Sequence, residues 1–96
     1  MVAYYTGDTV PLSFNLTDAS GAVNPSAATV EILKPHNETT TAVNATIDGN
    51  VVSYNIPASV NNEGGHYKAY FVCTLSYGER THKIEYDVIA NPEINR

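Results

Sequence analysis

Apolar and polar residues alternate along most of this chain with a period of two. Between residues 9 and 17, four apolar side chains alternate with polar residues and one proline, the pattern of a β-strand that buries one face. Pro11 lies on the polar side of the pattern, and because proline cannot donate to a sheet ladder, we expect this strand at a sheet edge. The alternation recurs in residues 28–33, 40–47, 51–56, 66–76 and 81–89.

Turn-forming residues separate these segments. Asp18 and Gly21 predict one turn, residues 34–37 end a strand, and residues 77–80 reverse the chain between the last two strands. The Asp48-Gly49 pair between two alternating runs predicts a hairpin. No stretch repeats apolar residues every three or four positions over a helical length. The pattern therefore predicts an all-β fold, an antiparallel sandwich of six strands, or seven if residues 2–5 also pair.

Composition limits the function. The chain has 96 residues, which is the length of one domain, so we predict a single domain at 1–96, with its core at about 7–89 and a tail at 90–96. Its five basic and ten acidic side chains give a net charge of −5. Five basic residues are too few for a phosphate-binding patch, so nucleic acid is not an expected partner. The N-terminal residues lack both a basic opening and an apolar run, so neither a signal peptide nor a membrane partner is expected.

Catalytic and metal chemistry find little support in the sequence. His36, His66 and His82 lie in a turn, at a strand start and beyond a hairpin, with no common ligand spacing. Six of the ten acidic residues fall in turns or on polar strand faces, where water solvates them: Asp8, Asp18, Asp48, Glu31, Glu85 and Asp87. The one cysteine, Cys73, is in phase with apolar neighbours and is expected to be buried. We predict no enzyme, no catalytic residue, no metal and no cofactor.

Four parts of the sequence resemble a known family. They are GDTVPLSFNLTD at 7–18, ATVEILKP at 28–35, YNIP at 54–57 and EGGHYKAYF at 63–71. These parts resemble immunoglobulin-like domains of tailed-phage virion proteins, particularly small capsid decoration and neck proteins and the N-terminal domains of baseplate upper proteins. The resemblance implies an immunoglobulin-like β-sandwich and a structural role in a virion, with capsid or tail proteins as partners after synthesis in the host cytoplasm.

Within the matching segments, Tyr67 has an expected structural role. The sequence also differs from that of antibody domains. Tyr67 is expected to act as a tyrosine corner, with its ring in the core and its hydroxyl bound to the preceding loop. The chain has no tryptophan, and Ala69 stands where antibody domains place their second cysteine. A secreted vertebrate immunoglobulin domain is therefore disfavoured.

Tyrosine supplies the candidate contact surface. The chain has seven tyrosines and no tryptophan, and Tyr70 shares the non-core phase of its strand with Val72. The candidate surface comprises Tyr4, Tyr5, Tyr70, Val72 and Tyr77, because tyrosine buries much area at little entropic cost. The alternative is ordinary burial of this face inside a second sheet.

The sequence thus leads to two functional hypotheses. The first is a non-enzymatic virion module attached to a capsid or tail assembly, with residues 1–6 and 90–96 as attachment segments. The alternative is a carbohydrate-binding or adhesive module, whose distinguishing feature would be an exposed coplanar tyrosine pair. Homo-oligomerisation and a surface glycan stay open as partners, and an edge formed by 40–47 could recruit a neighbouring chain by strand addition.

Overall fold

The computed structural model describes residues 3–90, and within them the chain is all-β, as predicted. Ten strands follow one another, with a single 3-10 turn at Pro35–Asn37 and no α-helix in this range. The strands are β1 Ala3–Tyr5, β2 Val10–Asn15, β3 Thr17–Asp18, β4 Gly21–Ala22, β5 Ala27–Leu33, β6 Val43–Asn44, β7 Thr46–Asp48, β8 Val51–Ile56, β9 Gly65–Leu75 and β10 Gly78–Ile89.

The strands form two main sheets and one small hairpin. The five-stranded sheet has the order β1-β10-β9-β5-β6, the three-stranded sheet has the order β2-β8-β7, and β3 pairs with β4. All described pairs are antiparallel except β1 with β10, which is parallel. The larger sheet is therefore mixed, unlike the purely antiparallel arrangement that we expected. A parallel pair needs a long connection, and here nearly the whole chain lies between the two strands.

One hydrophobic cluster joins the inner faces of both main sheets. The larger sheet contributes Val30 and the inward side chains of β9, and the smaller sheet contributes Val10, Val52 and Ile56. The alternation along β9 is regular because every second side chain, from Tyr67 to Leu75, is buried. The rings of Phe14 and Phe71 meet edge to face across the core, 5.2 Å apart.

Several local predictions are confirmed. Strand β2, which contains Pro11, lies at an edge of its sheet. The Asp48-Gly49 hairpin joins β7 to β8, and Gly49 has φ 64, a conformation that glycine adopts at the first position of a type II′ turn. In the β3–β4 hairpin the Ser20 N–H donates to Asp18 Oδ1 at 2.7 Å, so the aspartate stabilises the turn as expected.

Two boundaries differ from the sequence prediction. Residues 40–47 do not form one strand: β6 pairs with β5 in the larger sheet, whereas β7 pairs with β8 in the smaller one. The chain crosses between the sheets at Ala45, whose N–H donates to Ala28 O at 2.9 Å. The last turn is also shorter than predicted, because Leu75 pairs with Gly78 and leaves only Ser76 and Tyr77 in the loop.

Two further expectations fall partly outside the described residues. Strand β1 confirms that the N-terminal segment pairs from Ala3 to Tyr5. Residues 1–2 and 91–96 lie outside the described range, and with them two residues of the predicted attachment segment 1–6 and all of the segment 90–96 except Ala90.

Candidate contact surface

The outward face of the five-stranded sheet is organised by its central strand, β9. The side chains of β9 that point away from the core are half-buried, except for His66 at its start. Register places Tyr70 between Glu31 of β5 and Lys83 of β10. The next outward residue along β9, Val72, lies between two threonines of the same neighbouring strands. An aromatic and an aliphatic side chain therefore lie in the middle of this face, and their direct neighbours on the adjacent strands are polar or charged.

The structure distributes the five predicted contact residues over three places. Tyr70 and Val72 lie together on the outward face. Tyr5 is on the same face, 51% exposed and paired with Ile89. Lys83, the partner of Tyr70, is six residues from Ile89 on β10, so Tyr5 is about 20 Å along the sheet from Tyr70.

The remaining two predicted residues point elsewhere. Tyr4 packs against the core, and its ring meets that of Tyr86 edge to face at 6.1 Å. Tyr77 is 62% exposed in the turn after β9, and its hydroxyl donates to Asp18 Oδ2 at 3.2 Å. The structure thus brings together only the Tyr70 and Val72 members of the predicted set.

Ring contacts bear on the carbohydrate alternative. Within residues 3–90 the two stacked ring pairs are Tyr67 with Tyr86, which are both buried, and Phe14 with His82. Neither pair consists of two exposed tyrosines. In the described part of the chain, Tyr70 therefore has no stacked tyrosine beside it with which to form a sugar-binding platform.

An electrostatic cluster lies on this face at the start of β9. The His66 ring nitrogens contact two carboxylates of β10: Nδ1 is 2.7 Å from Asp87 Oδ1, and Nε2 is 2.6 Å from Glu85 Oε1. Lys83 Nζ lies 3.6 Å from the other oxygen of Glu85. The hydrogen bond to Glu85, followed by that to Asp87, raises the pKa of His66 above its ordinary value. The same bond to His66, followed by the charge of Lys83, lowers the pKa of Glu85.

The sequence pattern does not predict this cluster, because it places His66 at a strand start and the two carboxylates on the polar face of another strand. The signal that could have found it is the register of the final hairpin, which pairs His66 with Asp87. The two carboxylates contact opposite nitrogens of one ring, and among residues 3–90 no group of three or more His, Cys, Asp or Glu side chains is arranged to hold a metal ion. Protonated His66 can donate to both carboxylates, so the arrangement favours an imidazolium.

The other titratable candidates are also placed by the fold. His82 stacks on Phe14 with ring centroids 4.0 Å apart, and burial, assisted by the charge of Arg80, lowers its pKa. Cys73 is fully buried, as predicted, and that burial raises the pKa of its thiol. His36 has a left-handed backbone, φ 69, in the exposed turn after β5.

A buried polar centre holds the loop before β9. Asn61 is fully buried, its Nδ2 donates to Asp8 O at 2.9 Å, and its Oδ1 accepts from the Tyr86 hydroxyl at 2.8 Å. Four residues before Tyr67, the carbonyl of Glu63 accepts from the Tyr67 hydroxyl at 2.7 Å. The expected bond from Tyr67 to its preceding loop is confirmed. The sequence does not predict the role of Asn61, because the residue lies in a polar segment that connects two strands.

A groove opens beside β10, between the edges of the two main sheets. Its volume is about 330 Å³. It is lined by Tyr4, Pro11, Leu12, Ser13, Ile84, Glu85 and Tyr86. The lining combines apolar side chains with Ser13 and Glu85, so the groove offers apolar contact area beside the edge of β10.

No family model and no curated protein matches the chain. The described residues include no helix with the length and hydrophobicity needed to cross a bilayer.

Proposed function

We propose that the chain is an immunoglobulin-like β-sandwich. Strand order supports this proposal. Strands β10, β9, β5 and β6 follow one another as G, F, C and C′ do in variable-type immunoglobulin domains, and β2, β8 and β7 follow as B, E and D do. Buried side chains of both sheets share one cluster, as sandwich packing requires.

The tyrosine corner supports the same assignment. In immunoglobulin sandwiches a tyrosine near the start of strand F donates its hydroxyl to the backbone a few residues upstream. Tyr67 occupies the third position of β9 and donates to Glu63 O. The corresponding strand and the direction of the bond both agree with the proposal.

We propose that this domain is a non-enzymatic structural module of a tailed-phage virion, attached to the capsid or the tail. The observation that carries a contact role is the outward face of the larger sheet, where Tyr70 and Val72 lie half-buried, Tyr70 between two charged residues and Val72 between two threonines. An aromatic and aliphatic centre with a polar surround is the usual composition of a protein interface. The virion assignment is supported by the sequence resemblance described above.

The direct test is mass spectrometry of purified virions of the phage whose genome encodes the chain. The proposal expects peptides of this protein at a constant ratio to the major capsid or tail protein after density-gradient purification. Their absence from purified particles would contradict the virion role.

A second arm tests the contact face. Tyr70→Ser is expected to reduce incorporation into particles while leaving the protein folded, as judged by its melting transition. Asn55→Ser is the matched control, because Asn55 is exposed on β8 of the other sheet. Equal incorporation of both variants would exclude Tyr70 from the contact.

A further inference from the structure

The outer edge of β10 is open over its middle portion. Strand β1 covers this edge only from Asp87 to Ile89. Towards the other end, the Arg80 side chain donates to Thr17 O at 2.6 Å and joins β10 to the β3–β4 hairpin. Between these points, no strand of residues 3–90 pairs with this side of β10.

The backbone groups on this edge can be assigned from the hairpin. Leu75 and Gly78 flank a two-residue loop and form its closing hydrogen-bonded pair. Because such pairs alternate along an antiparallel ladder, the backbone N–H and C=O groups of Thr81, Lys83 and Glu85 point away from β9. The Thr6 N–H donates to Ile89 O at 3.0 Å, which agrees with this alternation. The open edge therefore presents a row of donors and acceptors.

The other described sheet edges are less suited to pairing. Strands β3, β4 and β6 have two residues each, β1 and β7 have three each, and β2 contains Pro11, which has no N–H to donate. The open part of β10 contains no proline and borders the groove through Ile84 and Tyr86. Strand addition is thus best accommodated here.

We propose that a second copy of this chain pairs with this edge, antiparallel and about a two-fold axis at Ile84. In that register each Lys83 lies opposite Glu85 of the second copy, and the two Ile84 residues lie opposite each other. Opposite charges placed directly across an antiparallel pair stabilise it. The paired stretch is 82–86, which ends where β1 begins to cover β10.

Charge favours this register over the one in which the two-fold axis passes through Lys83. Moving the axis to Lys83 would place the two lysines directly opposite each other, and like charges in that position are destabilising. With the axis at Ile84, the backbone groups of Lys83 and Glu85 form the hydrogen-bonded pairs. Ile84 forms the non-hydrogen-bonded pair, in which side chains are closest. In each copy, Ile84 also lines the groove together with Leu12 and Tyr86. The apolar contact between the two Ile84 side chains is therefore continuous with the groove of each copy.

Charge reversal tests the pairing by sedimentation equilibrium over a dilution series. The wild type is expected to show a monomer–dimer equilibrium, and Lys83→Glu and Glu85→Lys are each expected to weaken dimerisation by about tenfold or more. The double variant carrying both changes restores opposite charges across the axis and is expected to recover the dimer.

The matched control is Glu31→Lys, the same charge change as Glu85→Lys but on β5, away from the open edge. It is expected to dimerise like the wild type. Melting curves of all variants establish that each is folded. A wild type that stays monomeric at every concentration, single reversals that dimerise normally, or a double variant that does not recover would each overturn the proposal.

Cysteine cross-linking tests the register separately. Ile84→Cys brings two thiols together at the axis, where Cα atoms of a non-hydrogen-bonded pair are about 4.5 Å apart, within disulfide range. Lys83→Cys places its thiols two residues out of register, with Cα atoms more than about 7 Å apart, too far to bridge. Rapid oxidation of Ile84→Cys to a covalent dimer, with Lys83→Cys remaining reduced, is the expected result. The reverse order would overturn the proposed register.

Discussion

The hydroxyl of Tyr86 provides the sharpest test of how the buried polar centre stabilises this domain. Tyr86 is 2% exposed, and its hydroxyl donates to Asn61 Oδ1 at 2.8 Å. Tyr86→Phe removes this oxygen while keeping the ring, whose stacking on Tyr67 at 5.1 Å is therefore retained. The change leaves the Asn61 carbonyl oxygen buried without that donor.

The expected loss follows from desolvation. A buried acceptor left without its partner costs about 2 kcal/mol in free energy of unfolding. For a domain of this size, that corresponds to a fall in Tm of roughly 8–16 °C. Chemical denaturation at a fixed pH, with wild type and variant in parallel, measures the free energy directly.

Two comparisons make the result specific. Tyr70→Phe removes a hydroxyl from the half-buried outward face and is expected to change stability by less than about 0.5 kcal/mol. In a double-mutant cycle, Tyr86→Phe and Asn61→Ala should be non-additive by roughly 0.5–3 kcal/mol, because the two residues share one bond. If Tyr86→Phe were as stable as the wild type, or if the two changes were simply additive, the reasoning from the buried bond would be refuted.

Four further outcomes are expected. The pKa of the His66 imidazole, measured by NMR, should lie above the ordinary histidine value. The stability that His66 contributes should be complete at low pH and lost as the pH rises through the pKa of the folded state. A pKa at or below the ordinary value would contradict the carboxylate contacts. Gly49→Ala should cost about 1–2 kcal/mol from its φ of +64 alone, since no atom lies within 4 Å of the added Cβ. Gly65→Ala should cost more in the same denaturation assay, because its Cβ would lie 2.5 Å from Pro35 Cγ; equal losses would show that the strand start adapts. Cys73 should react with a thiol reagent only after unfolding, and rapid labelling of the native protein would contradict its burial.

The sequence alone determined the all-β class and most strand positions. Alternation with a period of two is a local property, since successive side chains of any strand point to opposite faces. It therefore identified the buried face of β9, including Cys73 and Tyr67. Local turn chemistry likewise located the hairpins at Asp18 and Asp48, because the residues that form a tight turn are neighbours in the chain.

The tertiary structure alone decided which strand pairs with which. Residues 40–47 read as one strand, yet they divide between two sheets at Ala45, because alternation does not specify a pairing partner. The position of His66 between two carboxylates depends on the register of a hairpin that is eleven pairs long. The burial of Asn61 depends on Asp8 and Tyr86, which are distant in the sequence. Each of these features arises from contacts between remote segments, and a period within one segment cannot encode them.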